Sequence, residues 1–424
     1  MKSDTQITTF DNGVQLATTS MPHMESVAIG FWTRVGSRHE SLENSGIAHF
    51  IEHLLFKGTP SRTSAEISRQ IESLGASLDG YTVEDHTCYH VKGPCDQLEP
   101  LVDVLADFYR FPVFDTKDIE AERNVIFEEI AMVRDQPSQM LEDLLSEAAW
   151  GCDHPLGRPI TGTEISLTGM GRNELLSFYN RAYASQETVI SVAGNIDHKQ
   201  AVDIVYERVQ DMQRSHPMQF KDADRPTQGF SFEAREDLEQ AQIAIGFRGV
   251  SRNDPDRYAM KMLNVLLGEN MSSRLFQVLR EEAALCYEIQ SDIMSFDDAG
   301  LLHMFIALDP ENVTEALEII AQVLKSFRDK PVSESELEEA KSYLIGQSRI
   351  ALENTASQMM WSGESLLAFN GLVQPSEVFD QIKQVTVEEI QKMAQRMFQP
   401  KGMAIAGIGP HGAGLELNRW ELVS

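Results

Sequence analysis

Cysteine is scarce in this chain, with only four residues among 424. The four follow no metal-ligand or redox spacing: Cys88, Cys95, Cys152 and Cys286. Scattered thiols of this kind are typical of a reducing compartment, so we expect a cytoplasmic protein. Long apolar runs are missing too, since none approaches the eighteen or so residues that span a bilayer. The opening residues resemble neither a secretory signal nor an arginine-rich transit peptide, and we expect no membrane partner.

Basic residues are also under-represented. The chain has 36 Lys and Arg against 65 Asp and Glu, which gives a formal net charge of −29. Nucleic-acid binding needs clustered Lys and Arg, so we expect no nucleic-acid partner. By contrast, the chain is long and rich in apolar residues. Its 424 residues, 42% of them hydrophobic, suffice to form two hydrophobic cores.

Short segments recur at a long period. Val27–Arg34 is echoed by Ile243–Arg248, and Ile190–Gly194 is echoed by Ala404–Gly407, both at an offset of about 215 residues. Between the two sets, Ser215–Gly229 is polar and holds two prolines, as a linker would. We therefore predict a domain at 1–214, a linker at 215–229 and a similar domain at 230–424.

Strand-like runs alternate with longer helical patterns in each half. The clearest helical patterns are Ile67–Leu74, Leu98–Phe108, Asp256–Leu267 and Ser333–Leu352. This alternation favours an α+β fold with two homologous domains, each a mainly antiparallel sheet with helices packed on one side.

One short motif dominates the first half. His49-Phe-Ile-Glu-His53 has the form H-x-x-E-H within a helix-patterned stretch, Ser45–Gly58. Residues four apart share one helix face, so both imidazoles can reach one metal ion at about 2.0–2.1 Å. Glu52 can then contact an activated water without being a ligand. This is the inverted order of a zinc-peptidase motif, although an ordinary amphipathic helix with two polar histidines has the same letters.

A catalytic zinc site with an open position for water needs a third protein ligand. A second helical pattern begins near Asp115 and stops at Pro137. Within it, Glu122 and Glu129 are seven residues apart, two helical turns, and so lie on nearly the same stripe. Glu128 is a competing candidate, but its direction is about 100° from that stripe.

With both segments considered, the chain resembles the pitrilysin/insulysin family of zinc metallopeptidases, in particular its bacterial branch that is similar to mitochondrial processing peptidase. Residues 122–129, E-R-N-V-I-F-E-E, resemble the family segment E-R-x-V-I-x-x-E that contains the third ligand. The resemblance implies one zinc ion per chain, held by His49, His53 and Glu129. It also implies that Glu52 is the catalytic base and that Glu122 either supports a metal ligand from behind or assists as an acid.

A third segment, Gly268–Arg280 followed by Tyr287, resembles the part of the family in which an Arg and a Tyr seven residues apart hold the substrate. The resemblance implies that Arg280 grips substrate carbonyls and that Tyr287 donates a hydrogen bond to the tetrahedral oxyanion. The zinc motif itself occurs only in the first half. At the corresponding place in the second half the chain has Tyr258–Asn264, which lacks the motif.

Between the zinc segments, Gly75–His90 alternates like a β-strand. It resembles the family's active-site edge strand, onto which substrate adds as an extra strand. The residues that this implies for substrate binding are Asp79, Gly80 and Tyr81. Asp79 and Gly80 replace the family's common Asn-Ala, which adds negative charge and loosens the strand. On one strand His86 and His90 are about 13 Å apart, so we expect neither to be a ligand.

The resemblance implies a zinc endopeptidase that hydrolyses peptides or unfolded segments inside a closed dimeric chamber. We expect a homodimer in which Arg280 and Tyr287 of one subunit complete the zinc site of the other. Two alternatives stay open: a catalytically silent structural subunit of the same fold, and an active heterodimer with a divergent chain. The acidic charge also has two interpretations, a chamber that attracts basic peptides or a solvated outer surface.

Overall fold

The computed structural model describes residues 4–223 and 229–419, which form two compact units. The first unit takes residues 4–130, 159–221 and 349–376. The second takes the described residues of 131–158, 222–348 and 377–419. Each unit is therefore assembled from three separate stretches of sequence, and each contains one β-sheet.

The sheet of the first unit has six strands. They are β1 Asp4–Thr9, β2 Gln15–Ser20, β3 Ser26–Thr33, β4 Ser77–Thr82, β5 Thr87–Pro94 and β6 Thr188–Gly194. Their order is β1-β2-β6-β3-β5-β4, and the neighbours are antiparallel except for the parallel pair β2 and β6. Strand β4 lies at one edge, so among the described residues it has a strand partner on one side only.

The sheet of the second unit has the same plan with one strand fewer. Its strands are β7 Gly229–Ala234, β8 Ala241–Gly249, β9 Cys286–Ser295, β10 Gly300–Leu308 and β11 Met403–Gly409. Their order is β7-β11-β8-β10-β9, again with one parallel pair, β7 and β11. The repeated sequence segments fall on matching strands, β3 with β8 and β6 with β11. The predicted α+β fold with two similar domains is confirmed.

The helices match the predicted patterns to within a few residues. In chain order they are α1 Ile47–Leu55, α2 Ser64–Ser73, α3 Leu98–Arg110, α4 Thr116–Asp135, α5 Pro137–Trp150, α6 Glu164–Thr168, α7 Arg172–Ala182, α8 His198–Val209, α9 Arg257–Asn264, α10 Val313–Asp329, α11 Glu334–Ala351, α12 Thr355–Phe369, α13 Pro375–Gln384, α14 Val387–Met397 and α15 His411–Arg419. None of the described helices combines the length and the hydropathy that crossing a membrane requires.

Strand β3 is buried on both faces. Val27, Ile29 and Phe31 face the main core of the first unit, which includes residues of α1, α3 and α7. Ala28 and Trp32 alternate with them and pack against α12 on the opposite face. An additional helix therefore lies behind the layer that the sequence predicts, and this explains why β3 is apolar at nearly every position.

The second unit has an equivalent helix behind its sheet. Leu141, Leu145 and Ala148 of α5 pack with Ala244 of β8 and Ala406 of β11. Helix α5 comes from the first half of the sequence and α12 from the second half. Each sheet is thus covered on its second face by a helix that is distant from most of the unit in sequence.

The structure bears on two further predictions from the sequence. Gly75–His90, predicted to be one strand, is a hairpin, because the backbone turns between Val83 and His86, where the Val83 N–H donates to the His86 carbonyl at 2.9 Å. His86 therefore lies in the turn and not on a strand with His90. Residues 215–223 form no helix or strand, 224–228 lie outside the described residues, and the predicted boundaries at 214 and 230 stay predictions.

Candidate metal centre

Helix α1 begins at a sharp turn. Gly46 has a φ of +91°, and a Cβ at this position would lie 2.6 Å from the carbonyl oxygen of Thr161, so the turn requires glycine. The buried carboxylate of Glu40 accepts hydrogen bonds from the N–H groups of Gly46 at 2.7 Å and Ala48 at 2.9 Å. These bonds satisfy two free donors at the helix start, and they hold the helix that presents the two histidines.

His49 and His53 lie one turn apart on α1, with ring centroids 4.6 Å apart. Helix α4 places Glu129 opposite them. Its Oε1 is 3.7 Å from Nε2 of His49, and its Oε2 is 3.5 Å from Nε2 of His53. One donor atom from each of the three residues lies within 4.8 Å of the others.

This donor set fits a zinc ion. Two imidazole nitrogens and one carboxylate oxygen form a set typical of catalytic zinc, and ligands about 2.1 Å from a tetrahedral ion are about 3.4 Å from each other. Among the described residues, His49, His53 and Glu129 are the three His, Cys, Asp or Glu residues that come together in this way. Glu128, the competing candidate, is exposed and is not part of the group.

The local electrostatics favour the ligand forms of two of these side chains. Burial lowers the pKa of His49 to about 4, and the neighbouring His53 acts in the same direction. The interaction with His53 lowers the pKa of Glu129. Burial disfavours protonated His53, but its contacts with Glu129 and Glu122 outweigh that effect and raise its pKa. Of the two histidines, His53 is therefore the one at which a proton competes more strongly with a metal ion.

Glu52 lies close enough to the three-residue group for the charges of His53 and Glu129 to affect its pKa. Its Oε2 accepts a hydrogen bond of 2.6 Å from the hydroxyl of Thr82, at the end of β4. Burial raises the pKa of Glu52, and the hydrogen bond from Thr82 acts against this shift. A half-buried carboxylate with a raised pKa next to a metal site is suited to accept and return a proton.

Glu122 lies behind His53. Its Oε2 is 3.2 Å from Nδ1 of His53, and its Oε1 is 2.5 Å from Nζ of Lys57. The Glu122 side chain is 6% exposed, so its carboxylate is largely shielded from solvent. A carboxylate in this place orients the imidazole and leaves Nε2 free to face a metal ion.

The three residues predicted to bind substrate occupy different surroundings on β4. Asp79 is exposed. Burial raises the pKa of Glu52 and lowers the pKa of His90, and the charge of Asp79 adds to the first shift and opposes the second, so its carboxylate lies near both side chains. Gly80 lies under Tyr89, whose ring would be 3.0 Å from an added Cβ. The Tyr81 hydroxyl contacts Sδ of Met360 at 3.7 Å, on α12, so this side chain packs behind the sheet.

Arg280 and Tyr287 lie together in the second unit. Arg280 belongs to a short π-helical segment, Phe276–Glu282, and Tyr287 is the second residue of β9. The Arg280 guanidinium carbon is 4.6 Å from the centre of the Tyr287 ring, and the Tyr287 side chain is 79% exposed. The pair can therefore present a cation and a phenol to solvent side by side. Its predicted role at the metal centre stays a prediction.

Three side chains that organise the centre were not apparent from the sequence, namely Glu40, Lys57 and Thr82. Lys57 and Thr82 lie within the two segments that attracted attention, but nothing in their spacing indicates a partner. Their partners are on other elements, so only packing brings them together.

The chain is similar to known proteins over nearly its whole length. A family model described as insulinase (peptidase family M16) matches residues 15–164, and one described as the peptidase M16 inactive domain matches residues 169–344. A Mycobacterium leprae protein named as an uncharacterized zinc protease is 35% identical, over 97% of this chain and 93% of its own length. The zinc protease YmxG of Bacillus subtilis, also named uncharacterized, is 33% identical over 95% of this chain and 98% of that protein.

Solved structures show the same fold. A protease from Helicobacter pylori has a TM-score of 0.90 at 19% identity, with 97% of this chain and 100% of that chain covered. A Pseudomonas fluorescens structure described as a peptidase M16 inactive domain has a TM-score of 0.89 at 19% identity, with 96% and 98% covered. Because relatives more than 30% identical cover nearly the whole chain, this protein belongs to the insulinase family, peptidase family M16.

Proposed function

We propose that this chain is a zinc-dependent endopeptidase that hydrolyses peptides and unfolded segments, with one zinc ion per chain. The observation that carries the proposal is the convergence of His49, His53 and Glu129 from two helices, with the carboxylate of Glu52 on the same helix as the histidines. When bound, zinc supplies a Lewis acid that polarises a carbonyl oxygen and lowers the pKa of water.

Glu52 performs the proton transfers in this proposal. Its carboxylate accepts the proton of the attacking water and then gives it to the nitrogen of the leaving amine, so the same group ends the cycle as it began. The raised pKa supports this role, because a carboxyl that is not too acidic returns a proton more readily near neutral pH.

Strand β4 orients the substrate. Among the described residues its outer edge has no strand partner, so an extended peptide can add there as a further strand. A folded protein cannot offer such a segment without opening, so the proposed substrates are short or unfolded. The exposed carboxylate of Asp79 favours a basic side chain beside the scissile bond.

The proposed assembly is a homodimer with a closed chamber. In it, Arg280 and Tyr287 of one subunit reach the substrate bound at the His49, His53 and Glu129 group of the other. The guanidinium holds substrate carbonyl oxygens, and the phenol donates a hydrogen bond to the oxyanion that forms during attack. The exposure of Tyr287 supports this role, since the side chain is free to contact another molecule.

The test is cleavage of a quenched fluorescent peptide library with both peptide ends blocked. We expect activity that a chelator abolishes and added zinc restores. Glu52→Gln should bind zinc normally and cleave nothing, whereas His49→Ala should lose the zinc as well. A zinc-loaded wild-type dimer with no activity against any library member would contradict the proposal and favour a silent structural subunit.

A further inference from the structure

The hydroxyl of Thr82 has two possible acceptors. Oε2 of Glu52 is 2.6 Å away, and Oγ1 of Thr87 is 3.4 Å away. Thr87 donates its own proton to the carbonyl oxygen of Val35 at 3.0 Å, so it has none to donate to Thr82. A short bond to a carboxylate is stronger than a long bond to a hydroxyl. The Thr82 proton is therefore directed at Glu52.

This bond joins two elements that have different tasks. Glu52 lies on α1, next to the residues that would bind the metal, while Thr82 is the last residue of the edge strand β4. In the described residues β4 pairs with β5 alone, where Thr82 is opposite Thr87. A peptide that added to the free edge would hold β4 from both sides and so limit the movement of Thr82.

We propose that Thr82 is a positioning residue that couples peptide addition on β4 to the orientation of Glu52. The inference rests on the proposed function, in which Glu52 transfers the proton. If so, substrate residues that extend along β4 raise kcat as well as lower KM. They do so because their binding energy is used to hold the Glu52 carboxylate in the orientation that proton transfer requires.

The first test compares Thr82→Val with Thr82→Ser. Valine keeps the shape of threonine and lacks the hydroxyl, whereas serine keeps the hydroxyl. We expect Thr82→Val to lower kcat about ten-fold, the effect of one lost bond to a charged group, with KM within about two-fold and zinc content unchanged. Thr82→Ser should recover most of kcat.

The second test uses a short peptide and the same peptide lengthened at both ends. In the wild type and in Thr82→Ser, lengthening should raise kcat and lower KM. In Thr82→Val it should lower KM while kcat stays nearly constant. A Thr82→Val protein whose kcat rises with peptide length as in the wild type would overturn the coupling, while the proposed function would stand.

A third measurement does not depend on activity. Thermal unfolding of the metal-free wild type, Thr82→Val, Glu52→Met and the double variant forms a double-mutant cycle, because methionine lacks the carboxylate oxygen that accepts the Thr82 proton. We expect the double variant to differ from the sum of the single variants, and additive changes would overturn the hydrogen bond itself. A wild type that binds zinc and cleaves nothing would instead overturn the proposed function, and the coupling with it.

Discussion

The ammonium group of Lys57 and the carboxylate of Glu122 form a short ion pair, with 2.5 Å between Nζ and Oε1. The other carboxylate oxygen is 3.2 Å from Nδ1 of His53. Lys57 therefore sets the direction in which Glu122 meets His53, and through that contact it orients Nε2 toward Glu129. A residue outside the proposed ligand set thus acts on the geometry of that set.

This relationship predicts the effect of removing the ammonium group. Lys57→Met should weaken zinc binding about ten-fold, since partners of a metal-bound histidine commonly contribute that much. Lys57→Arg, which keeps the charge, should lose less. Competition with a fluorescent chelator measures the affinity, with the exposed Lys117→Met as the control. Equal affinities of Lys57→Met and the wild type would contradict the orienting role.

The choice of third ligand can be tested with neighbouring residues. Glu129→Gln replaces a carboxylate by an amide, a poor zinc ligand, so bound zinc should fall from about one per chain to almost none after dialysis. Glu128→Gln removes the same charge one position earlier on an exposed site and should keep its zinc. Metal analysis of the two dialysed proteins shows which of them keeps its zinc. Loss of zinc from Glu128→Gln and not from Glu129→Gln would make Glu128 the ligand.

The contact between α12 and the first sheet depends on glycine. A Cβ at Gly363 would lie 2.5 Å from the Trp32 ring. Gly363→Ala should lower the free energy of unfolding by about 1–3 kcal/mol, the usual effect of overpacking. Gly346→Ala, on α11 with no atom within 4 Å of the added Cβ, should raise it by about 0.5–1 kcal/mol. Chemical denaturation measures both, and equal effects would contradict the close packing at Trp32.

His303 should make stability depend on pH. The side chain is 4% exposed, and burial lowers its pKa to about 4, although the charge of Asp292 opposes the shift. In the unfolded chain the imidazole is protonated near pH 6.5, and in the folded protein only near pH 4. The contribution of neutral, buried His303 to stability is therefore complete above pH 6.5 and is lost as the pH falls toward 4.

The corresponding experiment compares stability at several pH values. The pKa shift of His303 corresponds to about 3 kcal/mol of unfolding free energy. As the pH falls from 6.5 to 4, the wild type should therefore lose up to about 3 kcal/mol more stability than His303→Gln does. His23→Gln, at an exposed histidine, should follow the wild type. Parallel curves for His303→Gln and the wild type would show that His303 is not buried in its neutral form.

The proposed homodimer predicts the behaviour of mixed subunits. Glu52→Gln and Tyr287→Phe should each have very low activity alone. If Tyr287 of one subunit serves the metal centre of the other, a mixed dimer has one site with both defects and one with neither. Activity should therefore rise to about half of the wild-type value, measured on mixed dimers that have been isolated with two different tags. Isolated mixed dimers as inactive as their parents would exclude shared sites.

Much of the candidate site was accessible from the sequence because it depends on local geometry. The spacing of His49 and His53, and of Glu122 and Glu129, places each pair on one helix stripe whatever the rest of the fold does. The period of the apolar residues similarly predicted most helices. The single strand expected at Gly75–His90 was wrong, because alternation continues across a tight turn and does not reveal it.

Spacing and periodicity along the chain were therefore enough to predict which residues share a helix face, that two similar α+β domains exist, and that a zinc motif occurs once. The tertiary structure alone decided the contacts of Thr82 with Glu52 and of Lys57 with Glu122. It also decided that α5 and α12 cover sheets formed largely by distant sequence. The physical reason is that helical periodicity is set by neighbouring residues, whereas contacts between elements form only when the whole chain packs.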